Sequence, residues 1–145
     1  MRVEQRIMIA RAPEDVWDFV ADHANDPAWC RKVKAVEPSG SRRWRVWHKP
    51  VPLRPAALLE TTHTREERPT YLAIREQDDA SVFDVEYRLE RAARGTLFTQ
   101  VSTFEWKALP RPFRTIFAIG VRRDVAGQLR ALKRHLEAAQ PQEPS

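Results

Sequence analysis

The sequence predicts an α+β domain in which an antiparallel sheet of about seven strands is covered by a long C-terminal helix, with two short helices after the first strand. Three observations carry this prediction. A period-two segment opens the chain, extended segments with short breaks fill its middle, and an amphipathic stretch free of internal proline closes it. At 145 residues the chain suits one domain, expected over residues 1–140, with residues 141–145 as a disordered tail.

Residues 2–10 alternate, with Val3, Ile7 and Ile9 on one side and Glu4 and Arg6 on the other, as a strand with one buried face does. Pro13 suits a first helical position, where its missing N–H would have no partner in any case. Glu14 and Asp15 complement the positive helix end, and Val16, Phe19, Val20 and His23 recur at helical spacing. Asp26-Pro27 repeats the start signal and predicts a second short helix, capped by Asp26 and carrying Trp29.

Residues 34–37, 43–48, 57–66, 70–77, 81–90 and 96–106 each read as extended. Pro38-Ser39-Gly40, Pro69, Asp78-Asp79 and Arg94-Gly95 break them, and the short connections predict antiparallel hairpins. The clearest strand alternates Phe83, Val85, Tyr87 and Leu89 with Asp84, Glu86, Arg88 and Glu90, one apolar face against one solvated face. Residues 57–66 and 96–106 do not orient themselves. In the latter, Phe98, Gln100, Ser102, Phe104 and Trp106 share one face, and Leu97, Thr99 and Val101 the other.

The closing helix opens at Leu109-Pro110-Arg111-Pro112 and runs to about Ala139, roughly 40 Å at about 1.5 Å per residue. Phe113, Phe117, Val121, Val125, Leu129, Leu132 and Leu136 fall on one stripe of it. Arg122, Arg123, Arg130, Lys133 and Arg134 lie largely outside, Asp124 sits at the edge, and Gly120 and Gly127 flank the stripe.

Hydrophobic residues make up 42% of the chain and charged residues 31%, which favours one ordinary core over disorder or a fibre. No apolar run approaches the roughly 20 residues that span a bilayer, and the opening residues are charged and alternating, so a cytoplasmic location is expected. The lone cysteine, Cys30, leaves no partner for an internal disulfide. A net charge of +5 would draw acidic partners, but the arginines are scattered and no nucleic-acid motif accompanies them, so nucleic acid is not the expected partner. His23, His48, His63 and His135 lack HxxxH, HxH and HExxH spacings, and Gly40, Gly95, Gly120 and Gly127 form no phosphate loop. Neither a metal nor any other cofactor is expected.

A strand, two short helices, a run of antiparallel strands and a long amphipathic helix follow the order of the helix-grip fold. The opening, Val3 to Ile9, then Ala12-Pro13-Glu14-Asp15-Val16-Trp17-Asp18-Phe19-Val20-Ala21-Asp22 and Asp26-Pro27-Ala28-Trp29, resembles the START-like (SRPBCC) superfamily, in particular its polyketide cyclase/dehydrase-like branch. The resemblance covers residues 2 to about 139. It implies a helix-grip fold, a curved antiparallel sheet wrapped around the long C-terminal helix, with a cavity for a hydrophobic ligand between sheet and helix. The superfamily also holds lipid carriers, hormone receptors, aromatase/cyclases, chaperone activators and oxygenase domains, so fold alone does not choose a function. The oxygenase branch needs an iron triad of two histidines and a carboxylate, which the dispersed histidines do not supply.

In that architecture Trp29, Phe83, Tyr87, Phe113, Phe117, Val121 and Asp124 are the expected ligand-facing residues, aromatics for the wall and Asp124 as an anchor or an arginine's partner. Asp124, Tyr87 and His63 are the candidates for moving protons, although no motif assigns them that work. Cys30 beside Trp29 reads as a small buried hydrophobe or a nucleophile. Lys49-Pro50-Val51-Pro52-Leu53-Arg54-Pro55 reads as a rigid crossover or a lid, and Arg42-Arg43-Trp44-Arg45-Val46-Trp47 as a solvated face, a rim for an acidic ligand or a base-stacking ribbon. Three functions follow: a cofactor-free binder of a hydrophobic or aromatic small molecule or lipid, an aromatase/cyclase- or dehydratase-type enzyme, and a module binding nucleic acid or a partner protein. A monomer or homodimer suits each.

Overall fold

The computed structural model describes residues 1–50, 55–105 and 110–139, with the Glu105 side chain left out. Val51 and Leu53 of the lid reading, Trp106, Leu109 and the 141–145 tail lie outside the described residues. The elements are β1 (Arg2–Ile9), α1 (Pro13–Ala21), a short 3₁₀ helix (His23–Ala28), β2 (Val33–Gly40), β3 (Arg43–His48), β4 (Ala57–Glu67), β5 (Tyr71–Gln77), β6 (Val82–Ala92), β7 (Gly95–Glu105) and α2 (Arg111–Ala138). The seven strands form one antiparallel sheet in the order β1-β7-β6-β5-β4-β3-β2. Consecutive strands make hairpins from β2 to β7, and the first strand returns to pair with the last. This is the expected helix-grip arrangement.

The short second helix differs from expectation in its start. It opens at His23 rather than after Asp26, because the Asp22 carboxylate accepts the Ala24 N–H and caps it there. Trp29 follows the helix, and its N–H donates to the Asp26 carbonyl.

Pairing orients the strands that alternation does not. Ile74, Val85, Ser102 and Val3 stand opposite one another in neighbouring strands, and all four are buried. Phe98, Gln100, Ser102 and Phe104 therefore turn inward on β7, as Leu59, Thr61 and His63 do on β4. The β6–β7 turn needs its glycine: Gly95 has φ +150°, and a Cβ there would stand 2.1 Å from the Ile9 carbonyl oxygen.

The core joins Val16, Trp17 and Val20 of α1, the inner face of the sheet, and Val125, Leu129, Leu132 and Leu136 of α2. Trp17 Nε1 donates to the Tyr71 carbonyl at 2.9 Å and pins α1 to β5. Arg11 donates to the Leu136 and Ala139 carbonyls at 2.7 and 2.8 Å, satisfying acceptors that the end of α2 leaves without helical donors. Lys133 ties the same end to the Met8 carbonyl.

The buried stripe of α2 is realised over its C-terminal half. Phe113, at its other end, is 46% exposed. At 28 residues the helix runs about 42 Å, whereas the 8 residues of β1 along which it packs span about 27 Å, so its first turns outrun the strand beneath them.

Candidate functional site

The inner face of the sheet is built in rows. Tyr87 of β6 lies between Leu72 and Gln100, Val85 between Ile74 and Ser102, and Phe83 between Glu76 and Phe104. These rows bring most of the expected wall together as two aromatic groups. Trp29 packs on Tyr87 with ring centroids 6.1 Å apart, and Tyr87 on Phe98 at 5.1 Å. Phe83 meets Phe104 at 5.7 Å, and Phe104 meets Phe117 of α2 edge-on at 5.7 Å. Val121 packs half-buried against the core, whereas Phe113 stands apart from the wall in solvent. Phe98 and Phe104 belong to this lining too. The sequence carried them only as one of two possible faces of β7.

Polar atoms interrupt the aromatic lining. Trp29 Nε1, Thr61 Oγ1 and Gln100 Oε1 are buried and have no hydrogen-bond partner among the described residues, while Gln100 Nε2 donates to Ser102 Oγ at 3.3 Å. Each such buried, unpaired atom costs about 1–3 kcal/mol. Burial, reinforced by the nearby Cys30 and Asp26, pushes the Tyr87 phenol well above its usual range, so it stays a neutral hydroxyl. Burial likewise holds Cys30 as a thiol, which answers the nucleophile reading against it. Asp124 lies at the helix edge as an ion-pair partner of Lys32 at 3.6 Å and an acceptor from Gln128 Nε2 at 3.3 Å.

His63 is no isolated histidine. Asp26 Oδ2 lies 2.9 Å from His23 Nδ1, His23 Nε2 lies 2.7 Å from His63 Nε2, and His63 Nδ1 lies 2.8 Å from Glu66 Oε1. Each carboxylate–histidine pair is three residues apart, and each spacing works for a local reason. In a 3₁₀ helix residues i and i+3 eclipse, which stacks Asp26 under His23. On β4, a bulge between His63 and Arg65 moves Glu66 to the face that His63 occupies. Trp44 of β3 packs on both imidazoles, its centroid 4.7 Å from His23 and 4.6 Å from His63. Arg42, in the β2–β3 turn, pairs with Glu66 at 3.4 Å.

Three hydrogen bonds along that chain require three protons, one more than two neutral imidazoles carry. Burial pushes His63 below the ordinary histidine range, against the pull of Glu66. All four ring nitrogens are engaged. The sequence signal was two short motifs, His23-Ala24-Asn25-Asp26 and His63-Thr64-Arg65-Glu66. Of the arginine–tryptophan ribbon, Trp44 turns inward onto the histidines while Arg43 and Arg45 face solvent.

Among the described residues, no group of three or more His, Cys, Asp or Glu side chains is placed to hold a metal ion, and no helix is long and apolar enough to cross a membrane.

A family model described as polyketide cyclase/dehydrase and lipid transport matches residues 1–137. The chain belongs to this family. Solved structures share its fold at low identity. A START superfamily protein from Mycobacterium smegmatis superposes with TM-score 0.80 at 14% identity, covering 94% of this chain and 97% of that one. A Thermus thermophilus protein gives TM-score 0.79 at 15% identity, covering 97% and 100%. The di-domain ARO/CYC BexL of the BE-7585A biosynthetic pathway gives TM-score 0.76 at 15% identity, covering 97% of this chain and 48% of that one, so the chain spans about half of that protein. No curated protein matches the chain.

Proposed function

We propose that this member of the polyketide cyclase/dehydrase and lipid transport family binds a hydrophobic or aromatic small molecule or lipid between the inner face of the sheet and α2, without a cofactor. The observation that carries the reading is the trio Trp29, Tyr87 and Gln100. An unpaired indole N–H and an unpaired amide oxygen flank a neutral phenol inside an aromatic lining. An apolar body with a hydroxyl group would satisfy both the lining and the polar atoms, its oxygen accepting from the indole N–H and its proton going to the amide oxygen. Binding is favoured over proton chemistry because the candidate proton carriers are engaged or neutral. His63 has no free nitrogen, Asp124 is held by Lys32 and Gln128, and Tyr87 is no base. The reading places the protein in the cytoplasm as a monomer or homodimer.

The test is capture. The purified protein is incubated with a hydrophobic metabolite extract, re-isolated, and its bound species identified by native and denaturing mass spectrometry. A species already present in the extract, held less well by Gln100→Leu and Phe117→Trp and equally well by Arg43→Glu, is the expected result. A product lighter by water, or rearranged at the same mass, would replace binding with catalysis. Capture that Phe117→Trp and Arg43→Glu weaken equally would remove the interior site.

A further inference from the structure

The first half of α2 carries a surface that the interior site does not use. Residues 111–123 contain four arginines, Arg111, Arg114, Arg122 and Arg123, and no acidic residue. Within them Phe113, Ile116 and Ile119 are 46%, 61% and 49% exposed. At helical spacing these three fall within an arc of about 120°, in which Ile116 and Ile119 turn away from the Phe117 and Val121 side and Phe113 borders it. Beside them an open groove of about 350 Å³ mixes Met1, Ala118 and Ile119 with Arg114 and Arg122.

Elsewhere on the surface several arginines are neutralised by neighbours, Arg68 by Asp18, Arg75 by Asp84, Arg88 by Glu86 and Arg91 by Glu14. Among the described residues, Arg111, Arg122 and Arg123 have no carboxylate partner. Charge decides what fits this face. A second copy related by a two-fold axis would set a patch of four arginines and no acidic residue against the same patch. Nucleic acid would take the arginines but offer nothing to three large apolar side chains. An anionic bilayer takes both, with apolar side chains at the acyl boundary and guanidinium groups among the phosphates.

We propose that residues 111–123 of α2 form a docking surface for an anionic lipid membrane. The surface needs no interior ligand, so its test stands apart from the capture experiment. The full chain is sedimented with vesicles of phosphatidylcholine alone and of phosphatidylcholine mixed with phosphatidylglycerol, at low and high salt. Binding is expected to the mixed vesicles and to weaken with salt. Arg122→Gln should lower affinity about fivefold, and the pair Ile116→Ser with Ile119→Ser about tenfold or more. Both variants change exposed residues, and unchanged circular dichroism verifies their folding. An environment-sensitive fluorophore on Ile116→Cys should shift to the blue on mixed vesicles, whereas the same label on Leu58→Cys, 47% exposed on β4, should not. Equal binding to both vesicle types would overturn the proposal, as would binding that the serine pair leaves undiminished. So would a concentration-dependent dimer, formed without vesicles and abolished by the serine pair.

Discussion

The densest chemistry lies in four side chains that hold the short 3₁₀ helix to the sheet. Asp26 takes part twice, its carboxylate against His23 and its carbonyl accepting the N–H groups of Trp29 and Cys30 at 3.1 and 2.7 Å. The histidine chain thereby sets the turn that aims Trp29 at Tyr87. Its pH dependence follows from His63. Because burial depresses this histidine in the folded protein, protonation is harder there than in the unfolded chain, whose value is near 6.5. The contribution is complete above 6.5 and is lost as pH falls through the lower folded value. Protons on both facing Nε2 atoms would also turn the short Nε2–Nε2 bond into a repulsion. The thermal midpoint should therefore decline on acidification below 6.5. His63→Gln should flatten that part of the profile while costing about 1–3 kcal/mol at neutral pH. An unchanged slope in His63→Gln, measured by calorimetry across pH, would assign the decline to other groups. None of this pairing was legible from His63 alone. Its partner lies 40 residues away, and a histidine on a strand names no partner.

Elements were more legible than residues, because repeating patterns announce them. The alternation of β6 and the run of α2 without a proline after Pro112 report local periodicity, and both elements form as read. The start of the 3₁₀ helix was misplaced because Asp22 and Asp26 are equally good caps in sequence, and backbone geometry chose the first. The N-terminal half of the α2 stripe was misjudged for a different reason. Periodicity marks which side chains share a face and says nothing of where the partner surface stops, so Phe113 has the same pattern as Leu132 and a different environment. At this scale one position is expected to be intolerant. Gly95→Ala imposes an unfavourable backbone conformation, worth about 1–3 kcal/mol, and sets a methyl against the Ile9 carbonyl that closes β1 onto β7. Urea denaturation should show at least that loss. Stability equal to wild type would mean that the β6–β7 turn rearranges without cost.

At the scale of the whole molecule, stability and surface function are divided along α2. Its C-terminal half supplies Leu129, Leu132 and Leu136 to the core and is fastened by Arg11 and Lys133. Its N-terminal half contributes Phe117 to the aromatic lining and leaves Ile116 to solvent. Truncation should separate the two. Leu132→Ala, at a fully buried position, is expected to cost about 2–5 kcal/mol in chemical denaturation. Ile116→Ala, at a side chain 61% exposed, should stay within about 0.5 kcal/mol of wild type. Comparable losses at the two sites would show that the first turns of α2 are as firmly packed as the last.

The order and type of elements, the antiparallel hairpins, the family and most of the aromatic lining are written in the linear sequence. They depend on local periodicity, on turn residues and on which side of one strand a side chain occupies. The tertiary structure decided the rest. Pairing of β1 with β7 oriented Gln100 inward, a bulge on β4 joined Glu66 to His63, and the end of β1 left Phe113 in solvent. Each of these outcomes is a relation between segments far apart in the chain, set by sheet register and by the relative lengths of packed elements. Those quantities exist only after the chain has closed on itself.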